Sequence, residues 1–181
     1  MGTLKYAILG MLSRKNMTGY DMSKEFDTTL AELWNAKHSQ IYPELKNLVA
    51  AGLITYDVEI SGNALEKKMY ALTGKGREEF CKWQRTYHKL KPVSKDEFRL
   101  QMFFADSIPI QERIELMQLR LEEHQSKLKH LKDKLAVFEN IPPSKDSEFT
   151  DYLVLTGAII REEGNCQWLK QSIIACTDRE K

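Results

Sequence analysis

A-K-H-S-Q-I-Y-P-E-L-K, residues 36–46, is the stretch on which the reading of this chain turns. Ile41, Leu45, Leu48 and Val49 recur at helical spacing and mark one face for burial. The opposite face carries Lys37, His38, Ser39, Gln40, Tyr42 and Lys46, donors suited to phosphate oxygens and base edges. Pro43 interrupts the pattern. It has no N–H to return to the Ser39 carbonyl, so it predicts a bend or irregularity beside that polar face. A short helix of this kind is what DNA recognition needs, although an ordinary solvated surface helix has the same pattern.

The flanking segments favour DNA. Upstream, Leu4, Ala7, Ile8, Leu9, Met11 and Leu12 predict an apolar first helix. A second helix follows, capped by Thr18 and carrying Tyr20, Met22 and Phe26. Downstream, Gly52 ends the third helix. Ile54, Tyr56, Val58 and Ile60 then alternate with polar residues at the period of a half-buried strand. Ser61-Gly62-Asn63 signals a turn, and Lys68 to Thr73 resumes as a second strand. Three helices followed by a β-hairpin make a winged helix-turn-helix, which lays its third helix in the major groove. Lys67 and Lys68 in the hairpin complete the expected DNA-contacting set with Lys37, His38, Ser39, Gln40, Tyr42, Pro43 and Lys46.

L-K-Y-A-I-L-G (4–10), T-G-Y-D (18–21), A-K-H-S-Q-I-Y-P-E-L-K (36–46) and L-E-K-K-M-Y-A-L-T (65–73) together resemble the PadR family of bacterial transcriptional regulators. K-D-E-F (95–98) and Y-L-V-L-T (152–156) extend the resemblance over nearly the whole chain, toward the phenolic acid decarboxylase regulator type. The resemblance implies a homodimeric repressor on double-stranded operator DNA, relieved by a small aromatic acid. It also implies an effector site at the junction between the winged domain and the last helix, with Tyr152, Arg161 and Trp168 as lining residues.

Composition is consistent with this. The 181 residues suffice for one large or two small domains, and the net charge is only +1. Residues 1–91 hold fourteen Lys/Arg against ten Asp/Glu, whereas 92–181 hold thirteen against sixteen. A mildly basic front and an acidic rear fit DNA binding by one end. Cys81, Cys166 and Cys176 are odd in number and show no C-x-x-C spacing, which reads as reduced thiols in a cytoplasmic chain, with a redox sensor as the lesser alternative. No secretory leader pattern or membrane span is expected.

The rear half, 92–181, predicts a helical dimerisation and effector domain after a Pro92 boundary. The fold class is therefore mostly α with a small β-hairpin: a winged domain over 1–91, then long coiled helices. Ile110, Ile114, Met117, Leu121, His124, Leu128, Leu131, Leu135 and Phe138 are spaced by alternating fours and threes, a heptad seam over 110–138. With no equally long partner evident in the chain, the seam from Ile114 to Phe138 is expected to pair with a second copy. His124 reads as a register-setting or hydrogen-bonded core residue ahead of a pH switch. A last helix starts near Ser147, with Gly164-Asn165 as a possible bend.

Catalytic chemistry is absent from the sequence. No phosphate loop, G-x-G-x-x-G or G-x-S-x-G occurs. His38, His88, His124 and His130 never pair at metal-ligand spacing, and the adjacent acids Glu162-Glu163 and Asp96-Glu97 point to different sides of a helix. No enzyme, metal or cofactor is expected. Two other readings stand beside the phenolic-acid repressor: a regulator of efflux or stress genes that responds to a cationic drug, and a winged-helix module that binds protein. A protein-docking face should show exposed apolar side chains depleted of Lys.

Overall fold

The computed structural model describes residues 2–28, 30, 38–61, 65–90, 92 and 95–178. The chain divides into two compact units, Met1–Lys91 and Pro92–Lys181.

In the first unit, α1 (Leu4–Arg14) is followed by a two-residue strand β1 (Met17–Thr18), α2 (Gly19–Asp27), α3 (His38–Ala50), β2 (Ile54–Ser61), β3 (Leu65–Leu72) and α4 (Gly74–Gln84). Thr18 starts α2 with a reciprocal cap: its hydroxyl accepts from the Asp21 amide, and the Asp21 carboxylate accepts from the Thr18 amide. Such a cap contributes about 1 kcal/mol. The Thr18 hydrogen bond also holds the Asp21 carboxyl below its usual range. Gly52, at φ 69°, takes the left-handed conformation that ends α3. The Leu53 amide then bonds back to the Leu48 carbonyl. Ile8, Leu9, Leu12, Met22, Phe26, Ile41, Leu45, Leu48, Leu53, Ile54 and Tyr70 form one continuous core.

Two expectations are revised in this unit. The hairpin gains a third strand, since Met17 and Thr18 pair with Tyr70 and Met69 to give an antiparallel sheet of order β1-β3-β2. Next, the sequence predicts a fourth helix from about Arg77 to His88 with Phe80, Trp83 and Tyr87 on one face, whereas α4 begins at Gly74 because the Thr73 hydroxyl accepts from the Gly76 amide and caps the helix. The helix stops at Gln84 and leaves Tyr87 84% exposed, off the apolar face. That face is Phe80 and Trp83, with the Trp83 ring stacked 4.6 Å from that of Tyr6 on α1. Lys5 Nζ also reaches Glu79 Oε1 at 2.8 Å and ties α4 to α1. The helical assignment of α3 runs on through Pro43. Pro43 and Ser39 are both exposed, so water can satisfy the carbonyl that Pro43 leaves unbonded. The Ser61-Gly62-Asn63 turn lies partly outside the described residues.

In the second unit, Asp96 caps α5 (Glu97–Phe103) by accepting from the Arg99 amide. A 3₁₀ turn (Ala105–Ser107) leads to α6 (Ile110–Leu135) and α7 (Ser147–Thr177). α7 is continuous through Gly164. The two long helices run antiparallel, since Met117 packs with Leu169, Leu131 with Ile159, and Phe138 with Tyr152. The heptad seam therefore has a partner within its own chain, and the expectation of a second copy along it is corrected. Ile114, Met117 and Leu131 are buried in the single chain. Leu121, Leu128 and Leu135 pack around them, and His124 and Phe138 also face α7. Thirty-one residues of α7 are enough to cover the twenty-six of α6.

Candidate nucleic-acid interface and effector residues

The two faces of α3 separate cleanly. Ile41, Leu45 and Leu48 are fully buried, whereas Ser39, Gln40, Tyr42, Pro43 and Lys46 are exposed. One turn of spacing thus anchors the helix in the core and leaves hydrogen-bonding side chains in solvent. Lys37 lies outside the described residues, as does the side chain of His38.

The wing adds two different lysines. In the β2–β3 register, Val58 faces Lys68 and Glu59 faces Lys67, so the two lysines project from opposite faces of the hairpin. Lys68 Nζ lies 4.2 Å from the centre of the Tyr56 ring, which holds the cation by its π face while leaving it exposed. Lys67 has a different setting: Glu59 opposite it in register, and Asp21 close enough for Lys67 to help depress its carboxyl. Of the pair, Lys68 is the better placed to meet a phosphate. Burial is the main reason the Tyr70 phenol is pushed above its usual value, with Lys68 opposing it and Tyr56 and Tyr42 adding to it.

One partner here lies outside the expected contacting set. Tyr56 was read only as a half-buried strand residue, and its role under Lys68 follows from a pairing register that periodicity does not reveal. Tyr20, in the first turn of α2, is 71% exposed, whereas Met22 and Phe26 of the same helix are buried.

The three residues expected to line an effector site do not converge. Tyr152 packs edge-on against Phe138 on the side of α7 that faces α6. Trp168 lies sixteen residues further along the same helix, about 24 Å away and nearly opposite around its axis. One small aromatic acid cannot touch both within a protomer. Arg161 and Trp168 do share a side of α7, two turns apart, and Arg161 is exposed. Trp168 also meets the Phe98 ring at 6.4 Å and the Arg99 guanidinium at 5.5 Å, a cation that sequence inspection overlooked.

Between the two apolar clusters of the helical unit lies a polar node. Buried Glu162 takes a hydrogen bond from His124 Nδ1, has Lys127 Nζ at 3.3 Å and receives Asn165 Nδ2 at 3.4 Å. Burial by itself raises the Glu162 carboxyl. The His124 hydrogen bond, Lys127 and Asn165 outweigh it, so the net shift is downward. His124 thus has the hydrogen-bonded core role. Glu163, its neighbour in sequence, points outward and pairs with Lys132 at 2.7 Å.

Among the described residues, no cluster of His, Cys, Asp and Glu could hold a metal, and no helix is long and apolar enough to cross a membrane. Cys81, Cys166 and Cys176 are all free thiols.

Comparison with known proteins gives the same division of the chain. Residues 8–82 match the transcriptional regulator PadR-like family, and residues 94–177 match the virulence activator alpha C-terminal family. The chain is 40% identical to the negative transcriptional regulator PadR of Bacillus subtilis, over 99% of its own length and all of the relative's. The crystal structure of that B. subtilis protein in complex with operator DNA superposes with a TM-score of 0.92 at 38% identity, covering 97% of this chain and 99% of the other. The B. subtilis protein in complex with p-coumaric acid gives 0.86 at 35% identity, with the same coverage. The chain belongs to the PadR-like family of transcriptional regulators, which are not enzymes.

Proposed function

We propose that this protein is a homodimeric, cytoplasmic repressor that binds double-stranded operator DNA through α3 and the wing and is released by a small aromatic acid. The exposed polar face of α3, with Ser39, Gln40, Tyr42 and Lys46 over a fully buried Ile41–Leu45–Leu48 stripe, is the observation that carries it. Gln40 can make a bidentate contact with adenine, while Lys46 and Lys68 meet phosphates. The B. subtilis relative, solved with operator DNA and with p-coumaric acid, supports both halves of the proposal.

Dimerisation follows from what α7 leaves uncovered. Its inner face is occupied by α6, yet Leu153, Ile160 and Ile174 recur along the opposite face, each at least half exposed, with Gly157 and Gly164 between them. A helix apolar on two opposite sides needs two partners, and the second is another copy. Leu100, Phe103 and Phe104 near α5 are exposed as well and extend the apolar surface of this unit. Dimerisation sets the two recognition helices at the spacing of one DNA turn, ~34 Å, so an effector that shifts the dimer base breaks the match. Arg161 and Trp168 form the proposed effector set, with Arg99 beside Trp168 as a further cation for the carboxylate.

The test is a band-shift titration on the promoter of its own gene. Gln40→Ala should cost ~1–3 kcal/mol and relax preference at one base pair. No loss in that variant would remove α3 from recognition. Thermal shifts with phenolic acids and with cationic dyes, with and without the promoter fragment, decide the effector class. Stabilisation by the dyes alone would replace the acid with a cationic drug.

A further inference from the structure

Gly19 opens α2 in an unusual setting. Among the described glycines only Gly52 takes a positive φ, so Gly19 is not there for backbone freedom. What distinguishes it is space. A Cβ at position 19 would lie 2.8 Å from Tyr42 Cε1 and 3.4 Å from Leu45 Cδ1 on α3. The missing side chain is therefore what lets the Tyr42 ring rest against the first turn of α2.

That first turn cannot easily retreat. Thr18 and Asp21 cap it reciprocally, and Thr18 also pairs with Met69 on β3. The start of α2 is thus anchored to the wing on one side and meets the recognition helix on the other. Leu45, fully buried in the core, cannot move far either. Tyr42 can, since it is 49% exposed.

We propose that Gly19 is a positioning residue for DNA recognition, which seats Tyr42 and so fixes how the polar face of α3 is presented relative to the wing. The proposal rests on α3 being the recognition helix. Its physical content is a choice of which group yields: an added methyl pushes the half-exposed phenol outward and leaves the buried residues in place. Helix propensity favours Ala over Gly, so nothing in α2 itself argues against the substitution. Folding and presentation are therefore separable.

The experiment is a double-substitution cycle read by fluorescence anisotropy on the promoter fragment, with Gly19→Ala, Tyr42→Ala, both together and Gln40→Ala. Gly19→Ala should lower affinity about tenfold, the size of one lost contact, with the melting temperature retained. In the Tyr42→Ala background it should cost nothing more, because the ring it displaces is gone. If Gly19→Ala is instead destabilised, Tyr42→Ala in the same chain should restore its melting temperature. Equal losses in the two backgrounds, or a destabilisation that Tyr42→Ala does not repair, overturn the proposal. Full affinity in Gly19→Ala beside a loss in Gln40→Ala overturns this proposal alone. A wild type with no preference for the fragment overturns it together with the recognition reading.

Discussion

The two units bury their apolar residues in opposite ways. The winged unit gathers residues from α1, α2, α3, β2 and β3 into one core, and its exposed apolar residues are scattered. The helical unit has two small clusters, Ile114–Met117–Leu169 and Leu131–Ala158–Ile159, separated by the charged node at Glu162. It leaves Leu100, Phe103, Phe104, Leu119, Ile160 and Ile174 well exposed. A two-helix layer has too little interior to bury both faces of α7, whereas helices packed around a small sheet close over their own centre. The winged unit should therefore keep its fold as a single chain, and the helical unit should draw part of its stability from a second copy.

The largest effect should come from Gly76→Ala. A Cβ there would overlap the Leu53 backbone carbonyl, which is held in place between α3 and β2 and cannot swing aside. We expect a loss of about 3 kcal/mol or more from the winged unit. Thermal unfolding followed by circular dichroism should show an early transition for that unit, with the signal of the long helices persisting. A single cooperative shift of the whole protein would mean that the two units do not fold separately.

Ile160→Glu should act on association and spare the fold. The residue is 67% exposed in the protomer, so a carboxylate there is harmless in a single chain, whereas in the proposed dimer it should cost about 2–3 kcal/mol per chain. Sedimentation should show monomers that retain their helical content. Val58→Glu, at a 50% exposed site in the winged unit, is the control and should leave the dimer intact. An unchanged dimer in Ile160→Glu would place the interface elsewhere. Replacing Leu131, by contrast, would damage the hairpin itself, because that residue is fully buried against α7.

The smallest effect is the acid sensitivity of the helical unit. Glu162 titrates below its ordinary 4.5 in the folded state, so its carboxylate stabilises the fold above that pH and the contribution is lost as pH falls through the folded value. Wild-type melting temperature should therefore fall on acidification below about pH 4.5, and Glu162→Gln should flatten that slope. Identical slopes in the two proteins would show that the node does not contribute to acid sensitivity.

Much of this molecule was legible along the chain because its signals are local. The spacing of Ile41, Leu45 and Leu48 identifies the buried face of α3, and the donors between them identify the other. Thr18 ahead of an apolar run announces a cap, and Gly52 a stop. Other elements carry too little local signal. Two residues of β1 have no period to read. Thr73-Gly74-Lys75-Gly76 looks like a strand breaker, and only the Thr73 cap and the close approach of Leu53 reveal the first turn of a helix.

Sequence by itself determined the buried and exposed faces of α3, the start of α2 and the end of α3, and that the seam of α6 must be covered. Tertiary structure decided what covers it. A heptad pattern specifies the shape of a partner and says nothing of which chain supplies it, and here α7 of the same chain lies near enough to take the place. The same holds for Glu162, one of two adjacent acids, buried while Glu163 stays in solvent because the packing of α6 against α7 chooses which side faces inward. It holds for Tyr152 and Trp168 too, whose separation is set by one unbroken helix. Periodicity is a property of neighbours in sequence, whereas choice of partner and closeness of approach are settled between segments far apart in it.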